Sequence, residues 1–127
     1  MQHTLGAVEK LSIRKKAQNI MLQYDIIEWI CSVLRNAPKL QECTLEYVTA
    51  LLINLALRTE GKKKCENPSL EILKILKPLL DRENPQIRTH VNGALYSLFT
   101  SNSLKKEARV SQMLTHANHR KWDTLNT

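Results

Sequence analysis

The sequence is short of the residues that most chemistry needs. Six of its 127 residues are aromatic and three are glycine, so the composition favours helix over a strand-rich fold. There are three cysteines, Cys31, Cys43 and Cys65. The count is odd and no pair has Cys-x-x-Cys spacing, which argues against a disulfide framework or a zinc site and for a reducing compartment. No apolar run approaches the ~20 residues of a membrane span, and no charged-then-apolar leader follows Met1. A Gly-rich phosphate loop and a nucleophile elbow are also missing. His116 and His119 stand three apart without a third ligand nearby, so a solvated stretch is the better reading than a metal site. Glu66 and Glu71 read as ordinary helix acids rather than an acid–base pair. The sequence therefore predicts no enzyme and no cofactor.

What is present is apolar periodicity and positive charge. Hydrophobic residues make up 43% of the chain and the net charge is +7, enough for one domain with a modest core and a surface that favours acidic partners. "YVTALLINLAL" (47–57) lies over "HVNGALYSLFT" (90–100) at a fixed shift. Val48 falls on Val91, Leu52 on Leu95, Leu55 on Leu98, and the small Ala50 on Gly93. "LGAVEKLSI" (5–13) fits the same frame through Gly6, Val8 and Leu11. A second element repeats as well. Ile26, Ile27, Ile30, Val33 and Leu34 share the i, i+1, i+4, i+7, i+8 spacing of Ile72, Leu73, Leu76, Leu79 and Leu80, one stripe of a 3.6-residue helix. The unit reads as a helix, a basic corner and a second helix, recurring within the ~40–47 residues of armadillo and HEAT repeats. The expected fold is an all-α, armadillo/HEAT-like right-handed solenoid of about two and a half repeats.

Local signals fix the boundaries. Asn84–Pro85 and Asn67–Pro68 read as N-cap followed by first helical residue, and Thr44 as a cap for the helix it opens. Pro78 should kink or end the second stripe early. Gly93, costly in a helix interior, should allow a neighbouring helix to approach. After "SLKKEAR" the stripe fails, because "THANHRKWD" offers little beyond Trp122. The expected division is a repeat domain over 1–111 and a polar, disordered tail over 112–127. The abrupt start and failed third unit suggest the interior of a longer solenoid, with uncapped ends through which copies could self-associate.

"TLEYVTALLINLALR" (44–58) and "NPQIRTHVNGALYSLF" (84–99) resemble armadillo repeats. With "LGAVEKLS" and "GKKKC" they are similar to the LisH-domain-containing armadillo-repeat family of cilia, over most of residues 3–109. The resemblance implies a non-enzymatic protein-interaction scaffold in cilium assembly or ciliary signalling, located in the cytoplasm and cytoskeleton at the basal body and centriole. The chain departs from that pattern in lacking the LisH segment and over residues 110–127.

Three groups of residues are candidates for partner binding. The corners "IRKKA", "GKKKC" and "LKKEA" collect Arg14, Lys15, Lys16, Lys62, Lys63, Lys64, Lys105, Lys106 and Arg109. If the corners are equivalent, these cations stack into a basic ridge. The ridge is either a row of solvated residues or an electrostatic dock for an acidic or microtubule-associated protein. An alternative is an anionic surface, membrane or nucleic acid. Nucleic acid is disfavoured because no aromatics interleave for base stacking. Changing Lys62, Lys63 and Lys64 together to Ser should then leave stability nearly unchanged. Trp29 is either the edge of the core or an exposed anchor. Asn54 stands where import receptors carry a peptide-binding Asn, yet their Trp position is Ala50 here, so Asn54 serves equally well to cap a loop.

Overall fold

Residues 14–110, together with Gly6, Ala7 and Lys10, are described by a computed structural model. Seven α-helices and no strand occur among them: α1 (Lys15–Gln23), α2 (Ile26–Leu34), α3 (Glu42–Ala56), α4 (Thr59–Cys65), α5 (Ile72–Leu76), α6 (Pro85–Leu98) and α7 (Asn102–Val110). Short 3₁₀ segments sit at Ala37–Lys39, Pro68–Leu70 and Lys77–Asp81. Two units of three helices follow one another, α1–α2–α3 and α4–α5–α6, and α7 opens a third.

The basic corner is therefore a helix, which corrects the two-helix unit. The physical reason lies in how little these helices bury. Gln18 and Leu22 are the buried residues of α1, Gly61 and Cys65 those of α4, and in α7 Leu104 and Ala108 are buried. Each set is one i, i+4 pair, a single point of contact per turn. Two buried positions per helix, with Gln18 in one pair and Gly61 in another, give no visible stripe.

The other helices behave as their patterns require. On α2, Ile27, Ile30, Cys31 and Leu34 are buried, and Ile72, Leu73 and Leu76 are buried on α5. Pro78 ends α5 as expected. The α-helix stops at Leu76 and the chain tightens into 3₁₀ from Lys77, with Leu79 still buried. The Asn84 side chain accepts from the Gln86 and Ile87 N–H groups at 2.9 and 3.3 Å, with Pro85 in the first turn. That is the expected cap. Asn67 also caps, accepting from Ser69 N at 3.1 Å, but it starts a 3₁₀ turn rather than α5. Glu71 then turns the chain into α5 with a left-handed φ of 50°. Thr44 is not a cap. Gln41 precedes α3, and Thr44 is buried inside its first turn.

α3 and α6 pack side by side through the middle of the molecule. Val48, Leu52, Leu55, Val91, Leu95 and Leu98 are all fully buried there. A Cβ on Gly93 would come within 2.2 Å of the Ile53 Cδ1 atom, so the small residue does set the approach of the two helices. Gly6 differs, since a Cβ there would meet the Tyr47 ring at an ordinary 3.6 Å. Val8, Leu11, Trp122, His116, His119 and the expected tail over 112–127 lie outside the described residues.

Candidate interaction surface

The lysine edge is built from α1, α4 and α7, and its register is fixed by what those helices bury. Gln18, Gly61 and Leu104 are spaced 43 apart, as are Leu22, Cys65 and Ala108. In that register the residues matching Lys62, Lys63 and Lys64 in the first unit are Asn19, Ile20 and Met21, which carry no charge. Arg14 instead precedes α1 as Arg58 precedes α4, both with extended backbone (ψ 131° and 143°). The nine cations therefore do not share one structural position. Lys15 and Lys16 stand at the start of α1, while Lys64 reaches its end, six or seven residues or about 10 Å away. Lys62 and Lys105 do correspond, as do Lys63 and Lys106, and Arg109 corresponds to Glu66. The stacked ridge is reduced to its second and third units.

Direct bonds confirm this register. The Arg58 guanidinium, at the start of α4, donates to Gln18 Oε1 at 2.9 Å and Asn19 Oδ1 at 2.7 Å. Lys64 Nζ donates to the Leu22 carbonyl and lies 3.5 Å from that of Tyr24. These carbonyls belong to the last turn of α1, where acceptors lack intrahelical donors and the helix dipole is negative. One of the three lysines is thus a C-terminal cap for the preceding repeat. Lys62 is half-buried and Lys63 exposed. Lys63 and Lys64 line a cleft of about 360 Å³ with Asp25, Glu28 and Glu66. Three carboxylates face two ammoniums there, so the field at "GKKKC" is locally cancelled rather than strongly positive. On α7, Lys105 is half-buried, Lys106 and Arg109 are exposed, and Ser101 before the helix donates to Glu66 Oε1 at 2.7 Å.

The other candidates separate. Trp29 is 37% exposed and lines a shallow surface with Arg35, Ser69 and Leu70. It is one of the exposed large hydrophobics among the described residues, beside Asp25 and Glu28. Asn54 is half-buried on α3, away from the lysines. His90 is half-buried on α6, and its Nδ1 lies 3.0 Å from Thr49 Oγ1. The Thr49 hydroxyl already donates to the Leu45 carbonyl at 2.7 Å, so His90 Nδ1–H is the donor in that bond. Arg82 pairs with Glu42, and Asn84 Nδ2 donates to Glu46 Oε1 at 2.5 Å. The bonds of His90, Arg82 and Asn84 to α3 each join one repeat to the next. Complementary polar side chains 38 to 41 residues apart carry this signal in the sequence, which apolar periodicity does not register.

The buried thiols are inert. Burial pushes Cys31 up to about 11, against a smaller lowering by Arg35. Burial, with smaller contributions from Cys31 and Glu66, pushes Cys65 up to about 12. Both therefore stay protonated at neutral pH and fill space, as small apolar residues do. Cys65 belongs to the end of α4, not to a helix start. Among the described residues no group of three or more His, Cys, Asp or Glu could hold a metal ion, and no helix is long and apolar enough to cross a membrane.

Residues 21–123 match the family model described as LisH domain-containing protein ARMC9, ARM repeats. The chain belongs to this ARM-repeat family. It is 43% identical over 112 residues to the human LisH domain-containing protein ARMC9, and 41% identical over 112 residues to the zebrafish protein. The Xenopus laevis protein is 43% identical over 105 residues. These alignments cover 83–88% of this chain but only 13–14% of the relatives, so the chain spans about one seventh of their length. No solved structure matches it. The family match extends to residue 123, past residue 110, where the sequence pattern departs from the family's. Family membership, the three-helix unit and the all-α solenoid agree.

Proposed function

We propose that the chain is a non-enzymatic protein-interaction scaffold acting in cilium assembly or ciliary signalling at the basal body, with an acidic or microtubule-associated protein as partner. The observation that carries the scaffold reading is the stack of two ARM units tied by side-chain bonds from each repeat to the next. Such ties present a preformed surface, and preformed surfaces bind without the entropic cost of ordering themselves. The ciliary setting rests on the resemblance of "TLEYVTALLINLALR", "GKKKC" and "HVNGALYSL" to the ciliary armadillo family. The acidic partner rests on the net charge of +7. A nucleic-acid or membrane role needed nine cations in one ridge, and the helix register divides them.

The test is tagged expression in ciliated cells with the basal body marked, using this chain and a version extended at both ends. Concentration of either at the basal body is expected. Diffuse cytosolic signal from both would sink the ciliary reading.

A further inference from the structure

Between the two units, where the end of α2 meets α5, lies a groove of about 410 Å³. Its base is made by Leu34 at the end of α2, Ala37 in the following 3₁₀ turn and Leu79 in the 3₁₀ segment after α5. Pro38, Ile75 and Pro78 form its walls, the prolines exposed and Ile75 half-buried. Pro78 is the residue that ends α5, and tightening of the chain there opens room beside Pro38. A groove of this size takes one or two bulky apolar side chains rather than a whole helix.

Its rim is charged with one sign in excess. Arg35, Lys74 and Arg82 stand around it against the single carboxylate of Glu71. Arg35 Nη2 donates to the Leu70 carbonyl at 2.8 Å, a neutral acceptor that fixes the guanidinium, with Asp25 and Glu28 on the adjoining surface it shares with Trp29. Lys74 pairs with Glu71 at 3.3 Å, but the two side chains are 82% and 57% exposed. Such a pair is easily exchanged for another carboxylate. Arg82 is held towards α3 by Glu42. A fixed, planar Arg beside an exposed Lys, above an apolar base, is arranged for carboxylates flanking an apolar anchor.

We infer that the groove between the α2 end and α5 docks a short acidic segment of a partner protein, with one bulky aliphatic side chain seated between Pro38, Ile75 and Pro78 and its flanking carboxylates on Arg35 and Lys74. The inference rests on the scaffold reading and adds to it the chemistry of the partner and the side of the solenoid it meets. It also moves the acidic contact away from the lysine edge, where Asp25, Glu28 and Glu66 neutralise the charge.

The test uses the whole 127-residue chain and a fluorescein-labelled heptapeptide, one leucine with three glutamates on each side, followed by fluorescence anisotropy. Saturable binding that weakens with salt is expected. Replacing the central leucine by alanine should weaken it roughly tenfold, the effect of withdrawing a buried aliphatic side chain. Lys74→Glu should weaken it roughly five- to tenfold with an unchanged melting curve, since Lys74 is exposed. Lys63→Glu with Lys106→Glu should leave it unchanged. Equal binding of a control peptide with lysines in place of the six glutamates, insensitivity to the central leucine, or loss with the Lys63/Lys106 pair but not with Lys74→Glu each overturns the inference. So does a groove filled by a second copy, seen in sedimentation as a dimer that Lys74→Glu dissociates. Basal-body signal from a chain that ignores the peptide would leave the scaffold standing and remove only the groove.

Discussion

Two of the places where the second repeat meets the first differ in kind: α4 beside α1, and α6 beside α3. At the α1–α4 edge the contact is made with polar atoms. Arg58 holds Gln18 and Asn19, and Lys64 holds the last carbonyls of α1. Each of those two helices buries only one i, i+4 pair of residues. At the α3–α6 face the contact is made with Val48, Leu52, Leu55, Val91, Leu95 and Leu98, all fully buried, and with Gly93 seated against Ile53. Apolar burial yields roughly 1.5–3 kcal/mol for each large side chain. An ordinary hydrogen bond contributes about 1 kcal/mol net, because water offers the same groups equivalent partners. The α3–α6 face should therefore supply the stability, and the α1–α4 edge the orientation of one repeat on the next.

The largest loss should come from the apolar face. Leu95→Ala removes a fully buried side chain between α3 and α6 and should cost about 3 kcal/mol. That corresponds to roughly 10–15 °C in melting temperature for a domain of this size. A thermal melt followed by circular dichroism reads it. A loss no greater than that of cutting one bond at the α1–α4 edge would erase the distinction between the two.

The two regions meet at Gly61. There α4 starts so tightly against the end of α3 that a Cβ would lie 2.0 Å from the Leu55 carbonyl oxygen. That contact is with backbone, which cannot swing aside as the Ile53 tip can at Gly93. Gly61→Ala should therefore destabilise by about 2 kcal/mol, the overpacking cost exceeding the ~1 kcal/mol gained in helix propensity. Denaturant unfolding checks it, and an alanine variant as stable as the parent would mean that α4 can shift freely along α3.

These two positions also show which parts of the molecule the sequence made readable. Leu95 was found at once, because the α3–α6 face is apolar and apolar residues repeat at helical spacing. Asn84, Pro85 and Pro78 were readable because their effects are local: a side-chain cap, a missing N–H and a fixed φ. Gly61 was not. Its constraint comes from a carbonyl six residues earlier in another helix, and nothing in "TEGKKKC" records that distance. α1, α4 and α7 read as corners from the sequence for a related reason. Each buries two side chains, too few for a period, and the conspicuous lysines drew the alignment of "IRKKA" with "GKKKC". The packing aligns Leu22 with Cys65 instead, five residues further on. The candidate interaction surface was accordingly legible in charge but not in position. Net charge is a sum over composition, whereas a ridge requires the charges to coincide in register.

The smallest effects distinguish the three lysines of "GKKKC" from one another. A run of three like charges invites one explanation, and changing all three to Ser would be expected to do nothing if they were solvated together. In the structure they differ by what each faces. Lys63 is exposed and Lys62 half-buried, and neither bonds across to α1, whereas Lys64 caps its last turn. Lys62→Ser with Lys63→Ser should change stability by less than about 0.5 kcal/mol. Lys64→Met keeps the apolar stem but removes the donor from carbonyls that have no other intrahelical partner, and should cost about 1 kcal/mol. Hydrogen exchange adds a spatial readout, because the lost protection should be confined to the end of α1 near Leu22 and leave α3 and α6 untouched. If Lys64→Met behaved like the Lys62/Lys63 pair in both measurements, the α1–α4 edge would be no more than adjacent, and the orientation of the repeats would have to be fixed by the α3–α6 face alone.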